Sequence, residues 1–569
     1  MPGPPLVHPA ARSWFSSNAG HILHAWTNPA FEGLEMRKRP VKIVGLLMVL
    51  AAAAPAAASE RKGIEFEVTF DKAVRDEPFT GRVLFFLCDE QRPGPPRARW
   101  VFSSDPAFSV DVEDWQPETP LRVRDPRGAP CDLQDLPPGR YKIQAVMHTN
   151  VGMPHSGEAP GNLYSNYRRL WLDPAEGRVV KFRIDNKVPP DDRSPELNDA
   201  EVVEIRSDLL SRFHRREVLL HAVVWLPDEY DSKPDRRFPA IYVVPGFGGD
   251  HFQAIRLAAM LGRSEVPFVR IGLDPTLPYG HNVFADSDNN GPCGRALVEE
   301  LIPYLEKHYR LITEPRARFV TGHSSGGWSS LWLQVSYPDV FGGTWSTSPD
   351  PVDFHDFLGM DLYDRETNFF FDAKGRPRPT MRDGDNIVLT CPGEIRMEDV
   401  IGPGGQFGAF DAVFGPRGAD GRPRPICDHK TGKIDRRVVR AWQRYDIRDK
   451  VEREWFTLGP RLAGKITVIM GQDDSFYLEG AARLLKRALK NLGSDARIIM
   501  VPGKDHFSIM HTRQYRRMIK EMEARFLSSE PAQQGERRDA LGGTSAAQEK
   551  APAIQPVMAA TGTHLRPAA

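Results

Sequence analysis

Gly322-His323-Ser324-Ser325-Gly326 stands between a short apolar strand-like run at 318–320 and a helical run at 327–335. A chain that passes from strand to helix through five residues turns sharply, with Ser324 at the apex. A side chain at 322 or 326 would crowd that turn, so both positions call for glycine. The setting demands helices crossing over a sheet of mostly parallel strands, which is an α/β architecture. From about residue 194 onward the chain supplies one. Strand-like runs at 222–226, 240–244, 268–273, 318–320, 343–346, 466–470 and 497–501 alternate with helical stretches. Residues 297–308 read as a helix with Leu297, Leu301, Tyr304 and Leu305 on one face.

Chemistry gathers where these strands end. The run 240–244 leads into Pro245-Gly246-Phe247-Gly248-Gly249. The backbone N–H groups of Phe247 and Ser325 are therefore candidates for holding a developing oxyanion. The run 466–470 leads into Gly471-Gln472-Asp473-Asp474, and 497–501 leads into Pro502-Gly503-Lys504-Asp505-His506. Open α/β sheets place ligands at the carboxyl ends of their strands. The order Ser, Asp, His along the chain is that of α/β-hydrolases. In this reading Ser324 is the nucleophile, and His506 takes its proton and returns it to the leaving group. A carboxylate, Asp473 or Asp474, holds the imidazole in the right tautomer.

These motifs resemble the putative-esterase group of α/β-hydrolases, which includes esterase D (S-formylglutathione hydrolase), feruloyl, acetylxylan and enterochelin esterases, and mycolyltransferases. The resemblance covers about residues 202–526. It is carried by the stretch from Tyr242 to Gly249, Glu300-Leu301-Ile302-Pro303-Tyr304, Gly322 to Gly327, Gly471 to Leu478, and Gly503-Lys504-Asp505-His506. In that group the catalytic acid is the last Asp of a Gly-x-x-Asp turn, which implies Asp474. Two departures stand out. Pro245 occupies a position where many relatives have His before the oxyanion glycine. A long insertion, 350–460, separates the nucleophile and acid strands where caps often sit, so substrate class does not carry over from compact relatives.

The loop from Tyr279 to Pro292 leaves the same sheet edge, which makes His281, Asp286 and Asn290 possible substrate contacts beside His251. The alternative is a loop stabilised by Asx-turns. Asp428, His429, Asp435, Glu394 and Glu398 lie in the insertion without the spacing of a metal site, and neither a phosphate-binding loop nor a dinucleotide fingerprint occurs. The expectation is a reaction that needs no cofactor and no metal. Trp442, Tyr445, Trp455 and Phe456 read as core of the insertion.

Upstream, residues 59–190 read as an all-β, sandwich-like domain. Residues 64–70 alternate apolar and polar, with similar strands at 82–87, 141–146 and 179–184. Leu136-Pro137-Pro138-Gly139-Arg140-Tyr141 resembles the turn-then-Tyr entry to a sandwich strand. Residues 188–192 form a linker to a hydrolase domain over 194–527. Arg37, Lys38, Arg39 and Lys42, an apolar run at 43–54 and Ala56-Ala57-Ala58 make the three-part pattern of a signal peptide within 1–58, with Met36 a plausible start. The expected address is periplasmic or secreted. Export permits disulfides, and Cys88 with Cys131 is one possible pair; Cys293, Cys391 and Cys427 allow another. Residues 528–569 have the composition of a disordered tail.

The 569 residues carry 75 Lys+Arg and 75 Asp+Glu, a balance that argues against a nucleic-acid binder. Apolar runs are too short for a stable membrane span. The expected partner is a small-molecule or polysaccharide-linked ester. Three alternatives stay open: an acyltransferase using the same triad, a serine peptidase, and a non-catalytic carbohydrate- or ligand-binding protein with a decayed site. Oligomeric state is not legible.

Overall fold

The computed structural model describes residues 63–99, 102–154, 157–195 and 197–529. The expected signal segment and nearly all of the expected tail lie outside the described residues. Among the described residues no helix is long and apolar enough to cross a membrane.

Residues 64–187 form nine strands joined by hydrogen bonds into one sheet. The sheet folds over a single core. Phe66, Val68 and Phe70 meet Val83, Phe85 and Leu87, Ile143 and Met147, and Phe182 and Ile184 there. It is thus a sheet wrapped on itself rather than two separate layers. Strand Ile64–Phe70 runs parallel to Arg178–Lys187, the last strand of the nine. Tyr141 Oη donates to Pro137 O at 2.8 Å, which closes the turn that the Pro-Pro-Gly-Arg-Tyr sequence suggested.

All five cysteines are free thiols, so the Cys88–Cys131 bond that export would permit is not formed. The register explains this. Phe86 pairs with Ala107, and Ala107 pairs in turn with Ala129, so the two cysteines sit two strands apart. Two strand spacings are about 9–10 Å, beyond the ~7 Å that a disulfide spans.

The second sheet has eight strands in the spatial order Ala200–Arg206, Leu219–Trp225, Val269–Leu273, Ala240–Val244, Arg318–His323, Gly343–Thr347, Ile466–Gly471, Arg497–Val501. The first two joints are antiparallel and the other five are parallel. All seven strands read from the sequence are present. The edge strand Ala200–Arg206 is an addition. Both faces are buried, which is why the central strands read as continuous apolar runs. Ile241 and Val243 pack on one side beneath helices His251–Met260 and Thr512–Ser528. Ala240, Tyr242 and Val244 pack on the other with Leu297, Leu301, Leu305 and Leu333.

The insertion between Thr347 and Ile466 holds a hairpin, Pro379–Asp383 with Asn386–Thr390, and helices Cys391–Ile401, Gln406–Phe414, Arg436–Trp442 and Ile447–Leu462. Trp442 and Tyr445 are buried with Trp328, Phe354 and Phe414 in its core, whereas Phe456 is exposed. Helix Cys391–Ile401 joins the two sheets. Met397 and Val400 pack on Leu84, Phe86 and Val146, on the outer side of the N-terminal sheet. Arg396 donates to Gly128 O at 2.7 Å and Asp132 Oδ1 at 2.6 Å, and Arg82 donates to Asp399 O and Val400 O.

Candidate active site

Ser324 follows strand Arg318–His323 and precedes helix Ser325–Ser336. Its φ of 60° and ψ of −124° hold it in a backbone conformation that side chains rarely adopt. A Cβ at Gly322 would collide with Gly326 O, and one at Gly326 would collide with Val244 O. Both glycines are therefore dictated by the turn.

The turn after strand Ala240–Val244 lies against the nucleophile, since a Cβ on Gly246 would stand 3.5 Å from Ser324 Cβ. Phe247 follows directly. Ser325 opens its helix, where the first N–H groups have no intrahelical acceptor. Both backbone groups named from the sequence thus flank Ser324.

His506 Nδ1 lies 2.8 Å from Asp474 Oδ2, and both side chains are buried. Asp474 Oδ1 accepts the Phe476 N–H at 2.9 Å. Asp473 is exposed, and its N–H donates to Lys504 O. A Cβ at Gly471 would collide with Lys504 O, so glycine lets the acid and histidine loops touch. Asp505 accepts the N–H groups of Phe507 and Ser508 and shapes the histidine turn. The His323 ring lies 4.6 Å from that of His506. Burial and the neighbouring His506 push its basicity well down, which keeps it neutral there.

The other residues named from the sequence have the following places. His281 Nε2 donates to Pro245 O at 3.0 Å, and its Nδ1 accepts the Val283 N–H at 3.1 Å. Burial lowers its pKa to about 4, so the ring is neutral and braces the turn after strand Ala240–Val244 at Pro245 O. His251 Nδ1 pairs with Asp274 Oδ2 at 2.7 Å at the end of strand Val269–Leu273. Asp286 Oδ1 accepts the N–H groups of Gly294 and Arg295. Asn290 is buried, and its carbonyl accepts from His214. The structure does not bring these last three side chains to Ser324 through any of these contacts.

Several neighbours of Ser324, Asp474 and His506 carried little signal in the sequence. Asp350 Oδ2 accepts the Ser325 hydroxyl at 2.5 Å, and its N–H reaches Ser324 O. Burial raises its pKa to about 6. Gln406, at the start of an insertion helix, reaches Asp350 Oδ2 and Ser325 Oγ, both at 3.4 Å. Arg382 of the insertion hairpin donates to Asp474 O at 3.0 Å, pairs with Glu479 at 2.8 Å and lies over the Tyr477 ring. The Phe476 ring is 4.8 Å from His506. Phe102, from the loop between strands Phe79–Asp89 and Ala107–Trp115, packs at a tilt between Phe476 and Phe247, with ring centroids 5.0 and 6.0 Å away. Asp350 lies just past the end of a strand and was findable on that ground. Gln406, Arg382 and Phe102 come from segments whose position only the fold defines.

Two cavities meet at Phe247. One of about 500 Å³ runs between Phe247–Asp250, the linker 188–193 and residues 158–160. The other, of about 240 Å³, lies between residues 102–104, the insertion hairpin and helix Cys391–Ile401.

Among the described residues, Asp353, His355 and Asp446 form one group of close metal-ligating atoms. Three of their four carboxylate oxygens already hold protein donors. Asp353 Oδ1 takes the His355 N–H and ring, and Asp446 Oδ2 takes Phe354 N–H and Tyr363 Oη. Arg448 stands 3.5 Å from Asp353 Oδ2, which disfavours a cation.

A parallel α/β sheet with a strained serine elbow and a buried His–Asp pair past its strand ends defines an α/β-hydrolase. The chain belongs to the esterase family described as Putative esterase, which matches residues 217–509, just over half of its length. A curated relative, the uncharacterized protein YbbA of Bacillus subtilis, is 28% identical over 137 residues, 22% of this chain. The chain spans about half the length of that relative, 54%. Similar solved structures include an S-formylglutathione hydrolase from Agrobacterium tumefaciens (16% identity, TM-score 0.34, 58% of this chain and 98% of that one). Another is FphF, a fluorophosphonate-binding serine hydrolase of Staphylococcus aureus (13%, 0.34, 58% and 99%). A third is Est1E from Butyrivibrio proteoclasticus (15%, 0.33, 57% and 99%).

Proposed function

We propose that the protein is an exported serine esterase. Ser324 Oγ attacks the ester carbonyl while His506 Nε2 removes its proton. Asp474 holds the opposite ring nitrogen and stabilises the imidazolium. The N–H groups of Phe247 and Ser325 receive the oxyanion, each donor contributing roughly 3 kcal/mol to the barrier reduction. Collapse expels the alcohol, which takes the proton from His506. Water then releases the acyl group by the same steps in reverse.

The observation that carries this reading is the buried 2.8 Å His506–Asp474 pair at the sheet edge that also presents Ser324 on a strained elbow. Family membership supports ester cleavage, and the basic-then-apolar segment at 37–58 supports export. The test is labelling by a fluorophosphonate and turnover of short-chain aryl esters, beside Ser324→Ala. Both signals should vanish in the variant. Equal labelling of the two folded proteins would overturn the nucleophile assignment.

A further inference from the structure

The 240 Å³ cavity beside Phe247 has an unbalanced charge. Its walls are Phe102, Phe247, Ile387, Leu389, Met397 and Ile401, together with small and polar residues. Two of its lining residues are acids, Glu394 and Glu398, one helical turn apart on Cys391–Ile401. No Lys, Arg or His lines it. Arg99, which reaches the same helix, gives its N–H groups to Ser103 O and Met397 Sδ.

The two acids differ. Glu398 accepts the N–H groups of Phe407 and Gly408, both at 2.9 Å, and so caps helix Gln406–Phe414. Glu394 has no such cap. Burial raises its pKa to about 7. Glu398 raises the density of carboxyl groups further, its own pKa being lifted to about 8 by burial and by Glu394. A partly buried carboxyl among apolar walls, in a cavity that no Lys, Arg or His lines, gains most from a ligand that carries a cation, since ion pairing is strongest where water is excluded.

The cavity adjoins the turns on either side of Ser324 through Phe247 and Gln406. Phe247 is both its wall and an oxyanion residue, and Gln406 lines it while reaching Ser325 Oγ. Its volume holds about eight water-sized groups, enough for a short methylene chain with a terminal amine. Resting on the esterase reading above, we infer that this cavity receives one arm of the ester substrate, an apolar chain ending in a protonated amine, with Glu394 as its counter-ion.

The test compares p-nitrophenyl 6-aminohexanoate with p-nitrophenyl heptanoate, read as the ratio of their kcat/KM values within each protein. The wild type should favour the amino ester at least tenfold at pH 8, and Glu394→Gln should bring the ratio near one. Ile387→Lys, at the 58% exposed rim, should lower the ratio by placing a cation in the mouth. A ratio near or below one in the wild type, or one unchanged in Glu394→Gln, overturns the inference. Calorimetry reads the pocket without catalysis. Ser324→Ala should bind hexylammonium at least tenfold more tightly than 1-hexanol, and Ser324→Ala/Glu394→Gln should not. That preference, together with no ester turnover by the wild type, would overturn the esterase reading and keep the amine site. Equal binding of the two compounds would overturn the amine site alone.

Discussion

At the scale of single residues, burial separates neighbours that the sequence leaves nearly equivalent. Asp474 is buried against His506, whereas Asp473 faces solvent. Asp474→Asn should lower kcat by about 10⁴-fold, because the wrong imidazole tautomer would face Ser324. Asp473→Asn should change kcat less than twofold. Steady-state kinetics on an aryl ester check both, and the reverse ranking would move the acid to Asp473. His281 shows how a buried group couples to pH. Its folded pKa is about 4 against an unfolded value near 6.5, so in acid the unfolded chain takes up the proton first. Stability from this group is full above pH 6.5 and falls as pH drops toward 4, by about 3 kcal/mol. His281→Gln keeps a donor for Pro245 O without that titration. Its denaturant midpoint should fall less than that of wild type between pH 6.5 and 4.5, and parallel curves would refute the assignment.

At the scale of elements, the insertion is fastened to the loop that carries Asp474. Arg382 does this from hairpin strand Pro379–Asp383 through Asp474 O, Glu479 and Tyr477. Arg382→Ala should lower kcat about tenfold with little change in KM, and Arg382→Lys should restore part of it. A loss confined to melting temperature, with kcat intact, would mark a purely structural role. The hairpin did have a sequence signal, its two-residue turn Gly384-Asp385, where Gly384 adopts a φ of 56°. It was obscured by the Gly-, Pro- and charge-rich stretch around it. The edge strand Ala200–Arg206 went unread because only one side of it is covered, and its apolar pattern is correspondingly weak.

At the scale of the whole molecule, the N-terminal sheet reaches the catalytic mouth through Phe102 and covers an apolar face of helix Cys391–Ile401. Residues 194–529 expressed alone should melt lower than the full chain, since Met397 and Val400 would be bared. Phe102→Ala in the full chain should raise KM several-fold while kcat changes less. Equal melting of the two forms and an unchanged KM would reduce the sheet to a passenger. The sequence by itself determined the strand order along the chain, the glycine-bounded turn at Ser324, and the placing of the Asp473-Asp474 pair and His506 just past strand ends. These follow from local rules: apolar periodicity, glycine where a turn leaves no room for Cβ, and polar residues just past strand ends. Only the tertiary structure decided which aspartate pairs with His506, that His281 braces Pro245, that Cys88 and Cys131 lie too far apart to bond, and that Phe102, Arg382, Asp350 and Gln406 meet at one mouth. Those facts depend on contacts between residues tens to hundreds of positions apart, and such contacts leave no periodic trace in the chain.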